Sequence, residues 1–210
     1  VMKVHTLLLG ALGTNSYLLE DEDTHTCAVV DPADEYGVIR SELSRLGLTV
    51  AAILLTHVHF DHIGALYELA RDTGAIVYVG ESDRAALSEP TLNLSAAFGS
   101  PIVYGGKVTT VRDGSVIPLG NSKITVLETP GHTPGSVCYL TEEGVFCGDT
   151  VFREGIGRTD FPGGSTSAIL ESLDTILALD EERTLYPGHG GVTTVGHEKR
   201  YNPHYHTKTV

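Results

Sequence analysis

The sequence has no tryptophan, one methionine and only three cysteines among its 210 residues. So few cysteines, and an odd number of them, do not form the disulfide framework of a small secreted domain, and we expect reduced thiols. Basic residues are also scarce, because 14 lysines and arginines stand against 27 acidic residues, for a net charge of −13. A chain this acidic repels a phosphate backbone, so we expect no nucleic-acid partner.

Long apolar stretches are missing as well. No run of apolar residues approaches the ~18 that are needed to cross a bilayer, and the short run at 7–9 is soon interrupted by Gly10 and Gly13. This run is better explained as a first strand and turn than as a signal peptide. We therefore expect a cytoplasmic protein with no membrane partner, whose oligomeric state the sequence does not indicate.

Hydrophobic periodicity predicts strands at the start of the chain and then an alternation of strands and helices. Strands are expected at 4–9, 17–20, 27–30, 51–55, 76–79, 116–119, 123–128, 136–140, 144–147 and 184–186. Helices are expected at 36–46, 63–71 and 167–179 and near the C-terminus. Residues 90–106 are expected to be irregular. Because this order of elements occurs twice without a linker, we expect one domain over residues 1–210, with two packed sheets and helices outside them.

Ten histidines stand out in this composition, and several of them are clustered. The strongest local pattern is THVHFDH at residues 56–62, directly after the apolar run 51–55. In an extended chain, side chains two residues apart project to the same side, so His57 and His59 can converge on one point. Asp61 and His62 come where the chain turns into the next helix, and they can face a second point nearby. Four side chains of ligand type at a strand end indicate a metal site.

Three later residues also follow predicted strands and fit the same site. His132 lies in TPGHTPG at 129–135, Asp149 in CGDT at 147–150, and His189 in YPGHG at 186–190. Glycine next to each of them allows a side chain to be directed from a tight turn. Each one alone is explained equally well as a turn or capping residue, but their shared position at strand ends favours a common site. No cysteine nucleophile stands out, because Cys138 and Cys147 fall in predicted strands, where a free cysteine is typically a small buried apolar residue.

The chain resembles the metallo-β-lactamase-fold hydrolases, and among them the short, single-domain relatives of glyoxalase II (hydroxyacylglutathione hydrolase). The resemblance covers nearly the whole chain, from the GTNSY turn at 13–17 to the tail at 194–203. It implies an α+β fold of four layers, an αββα sandwich in which two mixed β-sheets are flanked by helices. It also implies a site for two metal ions along one edge of the sheets.

The resemblance further implies which residues bind the two metals. Seven histidines and aspartates share this role: His57, His59 and His132 at the first metal, His62, His189 and Asp61 at the second, and Asp149 as the bridge between them. The implied cofactors are two divalent ions, for which zinc is favoured and iron and manganese are alternatives.

The hypothesis that follows is a binuclear metal hydrolase for a small-molecule acyl thioester such as S-D-lactoylglutathione. A metal lowers the pKa of bound water towards ~7, so that a metal-bound hydroxide attacks the substrate at neutral pH. Asp61, which orients this hydroxide, and Asp149, which bridges the metals, are the expected catalytic carboxylates.

The evidence on the substrate comes from residues 155–161 and from the end of the chain. In two-domain glyoxalase II, a lysine and a tyrosine of the corresponding segment bind glutathione, and their positions are taken here by Arg158 and Asp160. Arg158 is therefore a candidate substrate-binding residue, and an ion pair with Asp160 is an equally good explanation of it. Only 21 residues follow His189, so we expect no helical glutathione-binding domain.

The polar tail at 193–203 also has two explanations. Glu198 and Asn202 are expected either to orient metal ligands through hydrogen bonds or to belong to a capping helix.

Other functions of the same fold stay open at this point. A persulfide dioxygenase holds one iron at the positions of His57, His132 and Asp149, a two-histidine, one-carboxylate site with room for oxygen. His189 favours the hydrolase, since it offers the second metal its third terminal ligand. A β-lactamase is disfavoured because no secretion signal is obvious, and a nuclease because of the negative charge. A purely structural metal is disfavoured because structural zinc sites are typically closed and rich in cysteine.

Overall fold

The computed structural model describes residues 1–206, which form the predicted strands, the predicted helices with one of them divided in two, and four short additional strands. Strands β1 to β6 are Met2–Leu9, Thr14–Asp21, Thr26–Val30, Thr49–Leu54, Ile76–Gly80 and Thr109–Val111. Strands β7 to β14 are Val116–Leu119, Ser122–Glu128, Val137–Leu140, Val145–Gly148, Val151–Phe152, Gly155–Ile156, Thr184–Pro187 and Thr193–Thr194. Helices α1 to α6 are Tyr36–Leu46, Phe60–Ile63, Leu66–Thr73, Thr166–Leu177, Val195–Tyr201 and Pro203–His206.

Twelve of these strands form two six-stranded sheets, in the orders β1-β2-β3-β4-β5-β6 and β14-β13-β10-β9-β8-β7. In the first sheet, β1, β2 and β3 are antiparallel and the pairs from β3 to β6 are parallel. In the second sheet, β10 and β13 are parallel and the other neighbours are antiparallel. Both sheets are therefore mixed, and β11 and β12 form a separate hairpin.

Apolar side chains cover both faces of each sheet and so define four layers. Leu54 and Tyr139 belong to the cluster between the sheets. On the outer face of the first sheet, Ile39 of α1 belongs to a second cluster that also includes residues of α3. On the outer face of the second sheet, Leu173 of α4 and its neighbours form a third cluster. Strands covered on both faces read as continuous apolar runs, as 51–55 does. The predicted αββα sandwich is confirmed.

The predicted helix at 63–71 is instead two helices, α2 and α3, and the break has a local cause. The backbone N–H groups of Gly64 and Ala65 donate to the carbonyl oxygens of Ala33 and Pro32, at 2.9 and 3.0 Å. A side chain at Gly64 would collide with the Ala33 carbonyl. The loop after β3 therefore lies directly against this segment and interrupts the helix.

Residues 90–106 contain no strand or helix in the described chain, as predicted, but they are internally fixed. Asn93 is fully buried, and its side-chain amide donates to the carbonyl oxygens of Ala86 and Ile102, at 2.8 and 3.0 Å. The Asn93 carbonyl accepts the backbone N–H of Phe60 at 2.8 Å. The irregular segment is thus attached to the start of α2.

Two further expectations concern cysteines and membranes. Cys27, Cys138 and Cys147 are buried and form no disulfide, which confirms that Cys138 and Cys147 are core residues. Over residues 1–206, none of the helices has both the length and the apolar character that crossing a bilayer requires.

We expect Tyr139→Phe to lower the free energy of unfolding by about 1–3 kcal/mol, because it leaves a buried carbonyl without its partner. The Tyr139 hydroxyl, on β9, donates to the carbonyl oxygen of Leu55 at 2.7 Å and so links the second sheet to the end of β4. Urea unfolding measures the loss. Tyr67→Phe is the matched control, since Tyr67 is 64% exposed. Equal stabilities of the two variants would contradict the importance of this link.

Candidate metal centre

The seven histidines and aspartates predicted as ligands lie at strand ends along one edge of the sandwich. The segment 57–62 follows β4 and runs into α2, and His132 lies between β8 and β9. Asp149 directly follows β10, and His189 follows β13. Because β10 and β13 are parallel neighbours, their carboxyl ends meet at the same place.

The first group consists of His57, His59 and His132, which are all buried and whose ligand atoms lie within 4.8 Å of one another. His59 Nδ1 and His132 Nε2 are 3.1 Å apart. Two nitrogen ligands of one tetrahedral zinc ion, with bonds of ~2.0–2.1 Å, lie roughly 3.3 Å apart. Asp149 Oδ2 is 3.7 Å from His57 Nε2 and 3.6 Å from His132 Nε2. These separations fit a shared cation.

The second group consists of Asp61, His62, His189 and the same Asp149, again with ligand atoms within 4.8 Å of one another. His189 Nε2 is 2.9 Å from Asp61 Oδ2 and 3.6 Å from Asp149 Oδ2. His62 Nε2 is 3.3 Å from Asp149 Oδ1. The Asp149 carboxylate therefore borders both groups. The structure brings together all seven side chains that the sequence indicated.

Several atoms of the two groups are buried without a hydrogen-bond partner among the described residues. They include His57 Nε2, His62 Nε2 and Asp149 Oδ1. Buried polar atoms seldom lack a partner, because each one costs about 1–3 kcal/mol. Imidazole nitrogens and carboxylate oxygens suit zinc, iron and manganese. The two groups thus fit a divalent metal cofactor.

Burial and neighbouring charges hold several of these side chains in the ionic forms that bind metal. Burial lowers the pKa of His57 well below its usual value and that of His59 to about 3, so both imidazoles are neutral. Burial opposes the ionisation of Asp149, but His62 and His132 outweigh it and lower the pKa of this carboxyl. Neutral imidazoles and an ionised carboxylate are the metal-binding species, so no proton has to leave these three groups.

The two histidines of the second group have the opposite shift. Burial disfavours a proton on His62, but the carboxylates of Asp149, Asp61 and Asp31 raise its pKa well above the usual value. The pKa of His189 is also raised, against burial, by its hydrogen bond to Asp61. Carboxylates that favour a proton at these nitrogens equally favour a cation in its place.

Asp31 is a residue of the site that the sequence analysis missed. It is buried directly after β3, and its Oδ2 lies 2.8 Å from His62 Nδ1. It also accepts the backbone N–H and the hydroxyl of Thr56, at 2.8 and 2.6 Å. Such contacts fix the ring of a ligand histidine and direct its other nitrogen at the metal. The sequence does contain a signal for Asp31, because this aspartate follows the apolar run 27–30 just as Asp149 follows the apolar run 144–147.

Two other contacts that hold ligand loops were also missed. The carbonyl oxygen of Arg158 accepts His132 Nδ1–H at 2.7 Å. Asn15, at the start of β2, donates to the carbonyl oxygens of Pro187 and Gly190, at 3.1 and 2.9 Å, on both sides of His189.

One of the two explanations for the tail is wrong. Glu198 and Asn202 are fully buried. Their hydrogen bonds include contacts with the β11–β12 hairpin, with Thr193 and with each other, and none of those found goes to a metal-ligand candidate. Glu198 accepts the Glu154 backbone N–H at 2.8 Å, and Asn202 donates to the Gly155 carbonyl at 3.1 Å. Because α5 packs against this hairpin, the polar side chains satisfy the backbone of its turn.

Arg158 is exposed beside the cluster and forms the ion pair that the sequence analysis considered. Its Nε and Nη2 donate to the two carboxylate oxygens of Asp160, at 2.6 and 2.7 Å. Its guanidinium carbon also lies 4.0 Å from the centre of the Phe161 ring. A substrate contact of Arg158 stays a prediction.

The family model of the Metallo-beta-lactamase superfamily matches residues 9–189, a range that contains all seven side chains. The chain belongs to this superfamily.

Relatives in the metallo-β-lactamase superfamily are similar over nearly their full lengths. The uncharacterized protein Rv2581c of Mycobacterium tuberculosis is 38% identical, over 92% of this chain and 93% of its own. The probable metallo-hydrolase YqgX of Bacillus subtilis is 36% identical, over 96% and 97%. The hydroxyacylglutathione hydrolase GloC of Haemophilus influenzae is 31% identical, over 99% and 100%. The family and these names indicate a metallo-hydrolase and support the glyoxalase II-like branch.

Solved structures of the superfamily share the fold. The B3 metallo-β-lactamase BLEG-1 has a TM-score of 0.91 and 36% identity, over 97% of this chain and 99% of its own. TTHA1623, in a di-iron-bound form, has a TM-score of 0.86 and 36% identity, over 95% and 98%. ETHE1 from Myxococcus xanthus has a TM-score of 0.79 and 33% identity, over 96% and 84%. The di-iron neighbour agrees with a divalent metal cofactor and leaves the identity of the metal open.

We expect Asp31→Asn to weaken metal binding by roughly 10–100-fold, because the carboxylate that holds the His62 ring is replaced by a neutral amide. Competition between the zinc-loaded protein and a chromogenic chelator measures the affinity. Asp34→Asn is the matched control, an exposed aspartate in the same connection. If both variants retain zinc as tightly as the unmodified protein does, Asp31 does not support the metal site.

Proposed function

We propose that this protein is a binuclear metal hydrolase that cleaves small acyl thioesters such as S-D-lactoylglutathione. The observation that carries the proposal is the second ligand group, in which Asp61, His62 and His189 lie beside Asp149. A single ion held by His57, His132 and Asp149 would not need the other three side chains of this group. The similarity to GloC, whose name is that of a hydroxyacylglutathione hydrolase, supports the thioester as substrate.

The two groups would each hold one divalent ion, with Asp149 shared between them. We favour zinc, and iron and manganese are the alternatives. When bound, such ions supply a hydroxide nucleophile at neutral pH and polarise the substrate carbonyl. Overall, one water adds to the carbonyl carbon and the C–S bond breaks, which yields a carboxylate and a thiol.

The residues of the chain have separate tasks in this reaction. His189 is the most open member of the cluster, with 27% of its side chain exposed, so substrate approaches from its side. Asp61, its hydrogen-bond partner, is more exposed than Asp149, and it is the carboxylate best placed to orient the attacking water and accept its proton. Asp149 holds the two groups together. Asp31 and the Arg158 carbonyl keep His62 and His132 in position.

A second candidate is a persulfide dioxygenase with one iron. It is favoured by the convergence of His57 and His132 on Asp149 Oδ2, at 3.7 and 3.6 Å, and by the similarity to ETHE1. The two functions differ in what they consume, since hydrolysis uses water and the oxidation uses molecular oxygen.

Direct assays separate these functions. We expect the zinc-loaded protein to release thiol from S-D-lactoylglutathione, to lose this activity with a chelator and to regain it with added metal. Protein loaded with iron is tested with glutathione persulfide in an oxygen electrode, and a penicillin is included because BLEG-1 is a β-lactamase. Oxygen consumption or lactam cleavage without thioester cleavage would refute the proposal.

We expect His189→Asn to bind one metal ion fewer per chain and to hydrolyse thioester more than about 100-fold more slowly. The reason is that the loss of a metal ligand reduces activity more than the loss of a residue that hydrogen-bonds to a ligand. Elemental analysis and the thioester assay measure the two effects. His25→Asn is the control, because His25 is an exposed turn residue outside the cluster. Persulfide oxidation that survives in His189→Asn, with no thioester activity in either protein, would favour the single-iron alternative.

A further inference from the structure

Phenylalanine is concentrated around the metal-ligand cluster. The sequence contains five phenylalanines. Phe161 and Phe152 have ring contacts with histidines of the cluster, Phe60 lies within the ligand segment 57–62, and Phe98 stacks on Phe60. The fifth, Phe146, is buried between the two sheets. None of the four rings is fully buried. Apolar surface beside a polar site is a usual feature of pockets that bind partly apolar ligands.

Two of the rings border the two ligand groups directly. The centre of the Phe161 ring is 5.6 Å from that of His59 in the first group, in an edge-on arrangement. The centre of the Phe152 ring is 6.1 Å from that of His189 in the second group, again edge-on. Both rings are partly exposed. Each ligand group therefore has an aromatic neighbour that is open to solvent.

The other two rings form a stack at the start of α2. Phe60 lies between His59 and Asp61 in the sequence, and its ring is parallel to that of Phe98 with centres 5.0 Å apart. Phe98 is 57% exposed. The bond from the Phe60 N–H to the Asn93 carbonyl attaches the segment that carries Phe98 to α2. An exposed aromatic side chain is thus stacked on a residue of the ligand segment, and the buried Asn93 attaches its segment there.

The arginine that lies over the Phe161 ring is already paired. Both Arg158 Nε and Nη2 donate to Asp160, and the guanidinium group covers the Phe161 ring at 4.0 Å. A charged group of the substrate would have to compete with Asp160 for Arg158. The side of the cluster near Phe161 therefore offers an apolar ring and a neutral ion pair.

We propose that the physiological thioester carries an apolar group, a short alkyl chain or an aromatic ring, next to the scissile bond, and that the four phenylalanines bind this group. The inference rests on the proposed thioester hydrolysis and narrows its substrate class. The apolar group belongs either to the acyl part or to the thiol part of the substrate. In either case, its transfer from water to these rings contributes favourably to the free energy of binding.

Two substrate series test the inference and distinguish the two parts. In the first, the acyl group of N-acetylcysteamine thioesters is varied from acetyl to butyryl, hexanoyl and phenylacetyl. In the second, the acetyl group is kept and the thiol is varied from N-acetylcysteamine to benzyl mercaptan. We expect kcat/KM to rise along at least one series, by up to about fourfold for each buried methylene.

Phe98→Ala and Phe161→Ala should reduce the increase of kcat/KM along the substrate series, because each variant removes one ring. Val116→Ala is the matched control, since Val116 is 58% exposed on β7, in the second sheet. Calorimetry with the product carboxylates gives a readout independent of turnover. We expect hexanoate to bind more tightly than acetate, with a negative heat-capacity change that shrinks in both phenylalanine variants.

The outcomes separate this inference from the proposed function. If no thioester is cleaved, the proposed function is wrong, and the calorimetry still decides whether the site prefers apolar groups. If thioesters are cleaved with equal kcat/KM along both series, or if S-D-lactoylglutathione exceeds them all, the inference is wrong and the proposed function stands. If Phe98→Ala changes the oligomeric state and leaves the preference intact, this ring belongs to an interface between copies, and its assigned role is wrong.

Discussion

The carboxylate of Asp149 is the point on which the rest of the site depends. Its two oxygens face both ligand groups, with Oδ2 near His57 and His132 and Oδ1 near His62. Two glycines allow the chain to pack closely around it. A side chain at Gly157 would collide with the Asp149 carbonyl, and one at Gly188 would collide with Asp149 Oδ1. The two segments that follow β12 and β13 thus approach Asp149 only because they lack side chains there.

The side chains of the candidate metal centre could be selected from sequence because each one follows a strand that is apolar enough to recognise. His57 follows the run 51–55, and Asp149 follows the run 144–147. Supporting residues could not be found in this way, since their partners are distant in the chain. Asn15 bonds to a carbonyl 172 residues later. Asp31 is the exception, because a carboxylate at the end of a buried strand is the same signal that identified Asp149.

The elements that the sequence analysis missed are those whose limits depend on tertiary contacts. Strands β11, β12 and β14 have two residues each, too few for any periodicity to show. The break between α2 and α3 comes from the carbonyl of Ala33 against Gly64, a contact between segments about thirty residues apart. For the same reason, the sequence leaves two explanations open for Glu198, and only the packing of α5 shows that it faces the hairpin turn.

The ligand cluster by itself does not select a substrate, because relatives named for different activities, a hydroxyacylglutathione hydrolase and a B3 β-lactamase, are similar to this chain at 31 and 36% identity. Specificity has to come from the residues around the cluster. There, the pair of Arg158 and Asp160 adds little to stability, since both side chains are exposed and solvent screens the attraction. In the substrate preference proposed above, the pair acts on recognition instead. Because Arg158 is paired with Asp160, an anionic substrate finds no unpaired guanidinium group at this position of a chain whose net charge is −13. An apolar group, by contrast, can contact the Phe161 ring.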